Sequence, residues 1–307
     1  MPAPRILVVG SSNTDMIIKM ERIPRPGETI VGGDFLTAAG GKGANQAVAA
    51  ARAGGRVTFI ARVGSDPLGE EAVAGLVREG INVGHVVRDP AAPSGVALIF
   101  VGGNGENSIG VAPGANNRLS PADVQAAQNA FSGEAILVLQ LEMPLETVEA
   151  AAQMAKQAGI PVILNPAPAR PLPGNLLGNV SILTPNETEA ELLTGIKIDG
   201  AESAGKAAGQ LLARGVGMVI ITLGAKGAFA ASAAGCRFVP GFVVEAIDTT
   251  AAGDTFNGAL AVALAEGREF DQAVRFAHAA AAISVTRLGA QPSVPTRAEI
   301  EKFLAER

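Results

Sequence analysis

Ala135-Ile136-Leu137-Val138-Leu139, then residues 145–158, then Val162-Ile163-Leu164: this stretch decides the fold. Its first and last pieces are short apolar runs without alternation, which suits strands covered on both faces. The piece between is long and Ala-rich, and Gly159 stands where such a helix ends. Strand, helix, strand repeats outward in both directions. Upstream, residues 6–9 and 57–63 read as strands, and 43–53, 67–79 and 121–130 as helices. Downstream, 182–184, 218–223 and 242–246 read as strands, and Glu187–Thr194, 201–214 and 259–266 as helices. Ser120, Asp66 and Thr296 each offer a helix cap, the first two followed by Pro at the first helical position. Gly80 and Gly215 mark further helix ends. The class predicted is α/β: a doubly wound, mostly parallel central sheet flanked by helices.

Two stretches break the rhythm. Residues 16–39 carry Pro24, Pro26, Gly27, Gly32 and Gly33, and residues 94–113 alternate around Gly102-Gly103-Asn104-Gly105. Both read as antiparallel ribbon, expected to meet as a small antiparallel β sheet standing off the core. Such an appendage covers a cleft, closes as a lid, or pairs with another subunit. Residues 1–307 are thus expected to form a single α/β domain, with a lid sub-domain from about 16–39 and 94–113.

Composition narrows the function classes. With 307 residues and 48% of them hydrophobic, the chain buries a large core and is not disordered. The net charge is −5 and no Lys/Arg cluster occurs, which argues against nucleic acid as a partner. One cysteine, Cys236, excludes an internal disulfide, and two histidines far from it leave no classical zinc site. The longest apolar run, residues 259–265, is far short of the ~20 residues a membrane helix needs. The apolar run after Arg5 is too short for a secretory leader, so a cytoplasmic protein with no membrane partner is expected.

Four segments can carry chemistry. Gly40-Gly41-Lys42-Gly43-Ala44-Asn45-Gln46 leads into a helix, where glycines admit a ligand and the helix start offers free N–H groups. Gly43 stands where a Walker loop needs Ser or Thr, and Gln46 breaks G-x-G-x-x-G. Asp248-Thr249-Thr250-Ala251-Ala252-Gly253-Asp254 turns into the next helix; its amides suit an anion hole, and Asp254 suits a general base. Asn186 and Glu189 follow a strand end and share a helix face, fit to hold a hydrated Mg²⁺. Thr222-Leu223-Gly224-Ala225-Lys226-Gly227 permits a tight turn against a nucleotide. Taken singly, each also reads as a plain helix start, cap or β-turn. Asn13-Thr14-Asp15 and Glu142 place polar groups at strand ends, where a polyol can be bound. His278, His85 and Cys236 read as structural.

In this order, over essentially the whole chain, these segments resemble the PfkB-type carbohydrate kinases. Asn13-Thr14-Asp15, Pro26-Gly27-Glu28-Thr29 and Gly289-Ala290-Gln291-Pro292-Ser293 resemble the branch that phosphorylates D-ribose at O5. The resemblance implies ATP-dependent phosphoryl transfer with Asp254 as base and Ala251, Ala252 and Gly253 forming the anion hole. It implies a sugar site of Asn13, Thr14, Asp15, Gly41, Lys42, Gly43, Ala44, Asn45, Glu142 and Asp254. The nucleotide site implied is Asn186, Thr222, Leu223, Gly224, Ala225, Lys226, Gly227, Gly253, Asp254 and His278. Mg²⁺ would be ordered indirectly by Asn186 and Glu189. A K⁺ would be held by Asp248, Thr250, Ser284, Arg287, Gly289 and Ser293, several through carbonyls. The lid would form a homodimer interface. Alternatives are a kinase for deoxyribose, fructose or adenosine, or a non-catalytic sugar or nucleotide sensor. No dinucleotide fingerprint follows the first strand, which disfavours a dehydrogenase.

Overall fold

A computed structural model describes residues 3–104, 106–133 and 135–307; Gly105, the last glycine of the turn expected at 102–105, lies outside the described residues. In chain order the strands are β1 (Arg5–Val9), β2 (Asn13–Lys19), β3 (Asp34–Gly40), β4 (Arg56–Gly64), β5 (Asn82–Asp89), β6 (Gly95–Val101), β7 (Asn107–Ala112), β8 (Ala135–Leu139), β9 (Val162–Leu164), β10 (Ile182–Leu183), β11 (Met218–Thr222), β12 (Gly227–Ser232) and β13 (Gly235–Pro240). The helices are α1 (Lys42–Arg52), α2 (Pro67–Arg78), α3 (Pro121–Ala126), α4 (Leu145–Gln157), α5 (Gly174–Leu177), α6 (Glu187–Thr194), α7 (Ala201–Ala213), α8 (Ala252–Ala265), α9 (Phe270–Ser284) and α10 (Arg297–Ala305).

The unbroken apolar strands feed both faces of one sheet. Ile6 and Val8 of β1 join the core with α1, α8 and α9. Leu7 and Val9 join the opposite core with α4 and α7. Strand order is β13-β12-β11-β10-β9-β8-β1-β4-β5, and the pairs from β11 through to β5 are parallel. The chain runs from β1 to β4 and β5, then crosses back to β8 and continues through β9, β10 and β11 the other way. β1 and β8 are therefore the neighbours where the order reverses, and ligands of open parallel sheets sit outside the C-terminal ends of such a pair. Ser11–Asn13 leave β1 at that place and Glu142 leaves β8.

The alanine-rich helices explain how two functional turns come together. A Cβ added to Gly258 of α8 would stand 2.6 Å from the Cβ of Ala49 in α1. Only such small side chains let the two helices pack this closely, and their N-termini end up side by side.

The second sheet has the order β3-β2-β6-β7. β2 with β3, and β6 with β7, are antiparallel ribbons as read from the sequence. The two ribbons meet through a parallel pair, β2 with β6, in register from Asn13↔Gly95 to Lys19↔Val101. β2 starts at Asn13, four residues after β1 ends, so the base of this sheet stands on the switch point.

Some boundaries differ from expectation. Residues 242–246 are not a strand. Their apolar side chains are satisfied by helices instead: Phe242 packs edge-on against Phe303 of α10 at 5.1 Å, and the chain then ties to α9 through Ile247 N donating to Val285 O (2.7 Å). The helix read over 121–130 stops at Ala126, and a 3₁₀ turn follows at Gln128–Ala130. The hairpin β12–β13 was not anticipated, since runs such as Gly-Ala-Phe-Ala-Ala-Ser have weak strand propensity, and β5, read only as a strand starting at His85, begins three residues earlier at Asn82. The caps at Asp66, Ser120 and Thr296 all form. Among the described residues no helix is long and apolar enough to cross a membrane.

Candidate active site

Ala251 adopts a left-handed φ of 58°, the one non-glycine to do so among the described residues. That kink ends the incoming loop and starts α8. Thr255 N donates to Ala251 O (2.8 Å), so the amides of Gly253 and Asp254 come before the first helical bond and have no helical acceptor. A Cβ on Gly253 would meet nothing within 4 Å. Open space therefore lies over a set of free N–H groups at the positive end of a helix, an arrangement that stabilises anionic oxygen.

Asp254 sits in the first turn, only 5% exposed. Asn45 Nδ2 donates to its Oδ2 (3.0 Å) and Gln46 Nε2 to its Oδ1 (2.9 Å). Burial pushes the carboxyl pKa up, against the pull of Lys42 and of these two amides. Asp254, Gly253, Lys42, Asn186, Glu189 and Thr222 line one polar cleft of about 190 Å³. The charges of Asp254, Glu142, Glu189 and Asp15 raise the Lys42 pKa, so its ammonium stays charged there.

On the switch-point side the acids gather. Glu142 Oε2 accepts from Ser11 Oγ (2.6 Å) and from Lys42 N at the start of α1 (3.0 Å), leaving Oε1 free. Asp15 on β2 is pushed up to about 6 by burial, then by the charges of Glu142 and Asp254. Asn13 Oδ1 accepts from Asn116 Nδ2 (2.7 Å). Gly41, at φ 87°, passes so close to β2 that a Cβ would stand 2.6 Å from Asn13 N. Thr14 alternates to the other face of β2 from Asn13 and Asp15. Gly43 N and Ala44 N donate to Ser11 Oγ (3.3 Å) and Ser11 O (2.8 Å), so both buried residues fasten α1 to the end of β1.

On the far side of Gly253 lies a mostly apolar cavity of about 370 Å³, walled by Phe242, Val244, Phe256, His278, Ala225 and Gly224. Thr222 and Gly253 border both recesses. His278 Nε2 is buried without a partner, and burial lowers its pKa to about 4, so the ring is neutral. An uncharged, flat, apolar slot with one unpaired ring nitrogen fits a nucleobase. Leu223 and Gly227 stand behind this wall: Leu223 packs on the core, and a Cβ on Gly227 would stand 2.5 Å from Gly241 N. Lys226 is exposed, 3.9 Å from Glu187.

Asn186 and Glu189 form a reciprocal capping box, Glu189 N to Asn186 Oδ1 (2.8 Å) and Asn186 N to Glu189 Oε2 (2.9 Å). The plain cap is thus present; it leaves Glu189 Oε1 as an acceptor, able to hold a water of a hydrated cation, and Asn186 Nδ2 as a donor, which suits a phosphate oxygen and not a metal. Burial raises the Glu189 pKa, opposed by the Asn186 amide and Lys42.

Asp248 ties two loops, accepting from Thr250 N (2.9 Å) and Gly289 N (2.8 Å). The hydroxyls of buried Ser284 and Ser293 donate back to Ala281 O (2.9 Å) and Ala290 O (2.7 Å), and Arg287 pairs with Glu299 at 2.6 Å. Donating their hydrogens leaves the oxygen lone pairs of both hydroxyls open to a cation, the Arg287 guanidinium is itself a cation and is taken by Glu299, and Asp248 is the one anion among the residues expected there.

Several residues of the site escaped the sequence reading. Ser11 lies two residues past β1, and Asn165 and Thr184 directly follow β9 and β10, so strand ends were the available signal. Gln46 and Asn257 lay inside motifs read for other residues. Thr184 Oγ1 donates to Asn257 Oδ1 (2.6 Å), and Asn257 Nδ2 donates to Gly253 O (2.8 Å), which braces the α8 turn from β10. Asn116 carries no local signal, because its partners are 103 and 104 residues away.

Known proteins share this plan. The pfkB family carbohydrate kinase model matches residues 3–297. A ribokinase of Haemophilus influenzae is 49% identical over 299 residues, covering 97% of this chain and 98% of the relative. A deoxyribokinase of Salmonella typhi is 40% identical over 301 residues, covering 98% of each. The solved structure of Arabidopsis thaliana ribokinase complexed with ribose and ATP superposes with a TM-score of 0.90 at 35% identity, covering 98% of this chain and 99% of that one. With the buried Asp254 carboxyl, the amide-lined turn and the two recesses falling within a match of this extent, the chain belongs to the pfkB family of carbohydrate kinases.

Proposed function

We infer that this chain is an ATP-dependent ribose kinase that transfers the γ-phosphoryl group to O5 of D-ribose. The observation that carries the reading is the placement of Asp254. It is a buried carboxylate at the mouth of an amide-lined helix start, between the polar cleft it shares with Lys42 and Glu189 and an apolar cavity fit for a nucleobase. Ribose hydroxyls donate and accept: Asp15 and Glu142 Oε1 offer acceptors, and Asn13, whose Oδ1 is taken by Asn116, offers its Nδ2 as a donor. The slot at His278 holds the base of ATP, which lays the phosphates over Gly253.

Each group then has one task. A primary alcohol is a weak nucleophile, so Asp254 takes its proton as O5 bonds to the γ-phosphorus and the bond from that phosphorus to the β,γ-bridging oxygen breaks, with ADP as leaving group. General-base help of this kind is typically worth ~10²–10⁴-fold. The raised pKa of Asp254 brings its basicity nearer to that of the task. The amides of Gly253 and its neighbours, with Lys42, meet charge on the transferred group, where positioning and electrostatics supply most of the catalysis. Mg²⁺ near Asn186 and Glu189 would neutralise phosphate charge, and K⁺ at Asp248 would stiffen the loop that leads into the anion hole. The second sheet serves as a lid over the sugar, excluding water as a competing acceptor. Its exposed Phe35, Leu36, Leu98, Ile109 and Val111 suit pairing with a second copy of the chain. An exposed free Cys236 suits a reducing cytoplasm.

The test is ADP release with D-ribose, 2-deoxyribose, fructose and adenosine as acceptors, with Mg²⁺-ATP and K⁺ present. Ribose is expected to give the highest kcat/KM. Preference for 2-deoxyribose would move the reading to the second branch that its relatives represent; binding of ribose without turnover would make the protein a sensor. Replacing K⁺ by Na⁺ is expected to lower the rate.

A further inference from the structure

Gln46 is buried to 0% exposure and belongs to none of the sets described for sugar, nucleotide or cation. Its Nε2 donates to Asp254 Oδ1 (2.9 Å) and to Asn165 Oδ1 (3.2 Å). Its Oε1 accepts from Gln140 Nε2 (2.7 Å), and Gln140 is equally buried. These partners leave the amide one orientation. Flipped, it would set an oxygen against the Asp254 carboxylate and an NH₂ against the NH₂ of Gln140. Asn45 secures the other carboxylate oxygen, so both are pinned from α1.

We propose that Gln46 is a positioning residue for phosphoryl transfer: its locked amide, braced by Gln140, holds the Asp254 carboxylate in the orientation from which it accepts the alcohol proton. The proposal rests on the kinase reading and deepens it. Charged groups facing Asp254 come from each neighbouring element: Lys42 at the start of α1, Asp15 on β2, Glu142 after β8 and Glu189 on α6. Lys42 alone among them is a cation. The uncharged donors Asn45 and Gln46 are therefore needed to favour the ionised form of a buried acid crowded by three others.

The experiment compares wild type, Gln46→Leu, Gln140→Leu and the double variant. Two quantities are read: the pH profile of kcat/KM, and the ¹³C NMR titration of the Asp254 side-chain carboxyl, assigned by its loss in Asp254→Asn. In Gln46→Leu the acid limb and the NMR midpoint are expected to rise together by about one to two pH units, the equivalent of one charge-assisted hydrogen bond. At pH below both midpoints turnover should fall about 10–100-fold, and it should recover in part at higher pH. Gln140→Leu should move both in the same direction by less, and the double variant should match Gln46→Leu, because Gln140 acts only through Gln46. An unmoved midpoint in Gln46→Leu, or additive effects in the double variant, overturns the proposal. Should Gln46→Leu fail to fold, an unmoved midpoint in Gln140→Leu overturns it instead. The NMR midpoint needs no turnover, so a wild type that phosphorylates no sugar defeats the kinase reading while the titration still judges Gln46.

Discussion

The starts of α1 and α8 are the same backbone device put to opposite uses. Both are glycine-containing turns whose free amides lie beside the switch point. At α1 the protein supplies its own anion: Glu142 accepts from Lys42 N, and Ser11 takes the amides of Gly43 and Ala44. At α8 the Ala252 amide turns back to Thr249 O (3.3 Å) and so leaves the expected anion hole, whereas among the described residues the amides of Gly253 and Asp254 have no protein acceptor, and a Cβ on Gly253 would stand in open space. On the proposed function, the filled helix start fixes an acid for binding the sugar, and the open one is left for charge that develops during reaction. The glycine motif of α1, which departs from the phosphate-loop patterns at Gly43 and Gln46, serves instead as a carboxylate holder.

The largest expected effect lies on the open side. Asp254→Ala is expected to lower kcat by about 10²–10⁴-fold while nucleotide affinity, measured by calorimetry, stays close to wild type. Unchanged kcat would remove Asp254 as base. On the filled side, Glu142→Gln keeps the shape but loses the charge, and the sugar KM is expected to rise about 10–100-fold with a smaller change in kcat. A drop confined to kcat would mean that the two helix starts do not divide binding from chemistry.

Glycine substitutions sharpen the contrast further. At Gly43 an added Cβ would stand 2.5 Å from Ser11 N, so Gly43→Ala is expected to cost about 1–3 kcal/mol of stability by chemical denaturation. Gly253→Ala, with nothing near its new methyl, should leave stability as it was and slow turnover by crowding the phosphoryl group. The reverse pattern would exchange the roles of the two turns.

The smallest effect is a pH dependence. Asp15 is held at about 6, above its usual 3.8. A carboxyl with a raised folded pKa binds its proton more tightly when folded, so its ionisation erodes stability as pH rises from about 4 to 6. Sugar binding runs the other way, because the ionised form accepts hydroxyl hydrogen bonds. The sugar KM should therefore rise several-fold as pH falls below about 6, and Asp15→Asn should flatten that limb. The nucleotide KM should stay flat from pH 5 to 8 with respect to His278, whose pKa near 4 keeps it neutral throughout.

What could be read from the chain followed the range of the interactions. Unbroken apolar runs such as Ala135–Leu139 and local caps such as Ser120 with Asp123 are decided by neighbours in sequence, and they came out with correct boundaries or nearly so. The Asn186–Glu189 pair was legible for the same reason. Residues 242–246 misled, because an apolar run does not say whether a sheet or two helices will cover it, and here α9 and α10 do. The parallel β2–β6 junction was hidden, since strand direction is set by how two distant ribbons approach. Within the site, charged and glycine residues announced themselves, whereas the uncharged amides did not. Gln46 meets Asp254 across 208 residues and Asn116 meets Asn13 across 103, and no local pattern encodes such a meeting.

A crystal structure with D-ribose and a non-hydrolysable ATP analogue tests the central claim most directly. The account predicts the 5-hydroxyl within about 2.6–3.2 Å of an Asp254 carboxylate oxygen, with the γ-phosphate over the Gly253 amide. A sugar bound with that hydroxyl turned away from Asp254, or a γ-phosphate seated on the α1 turn, would contradict it.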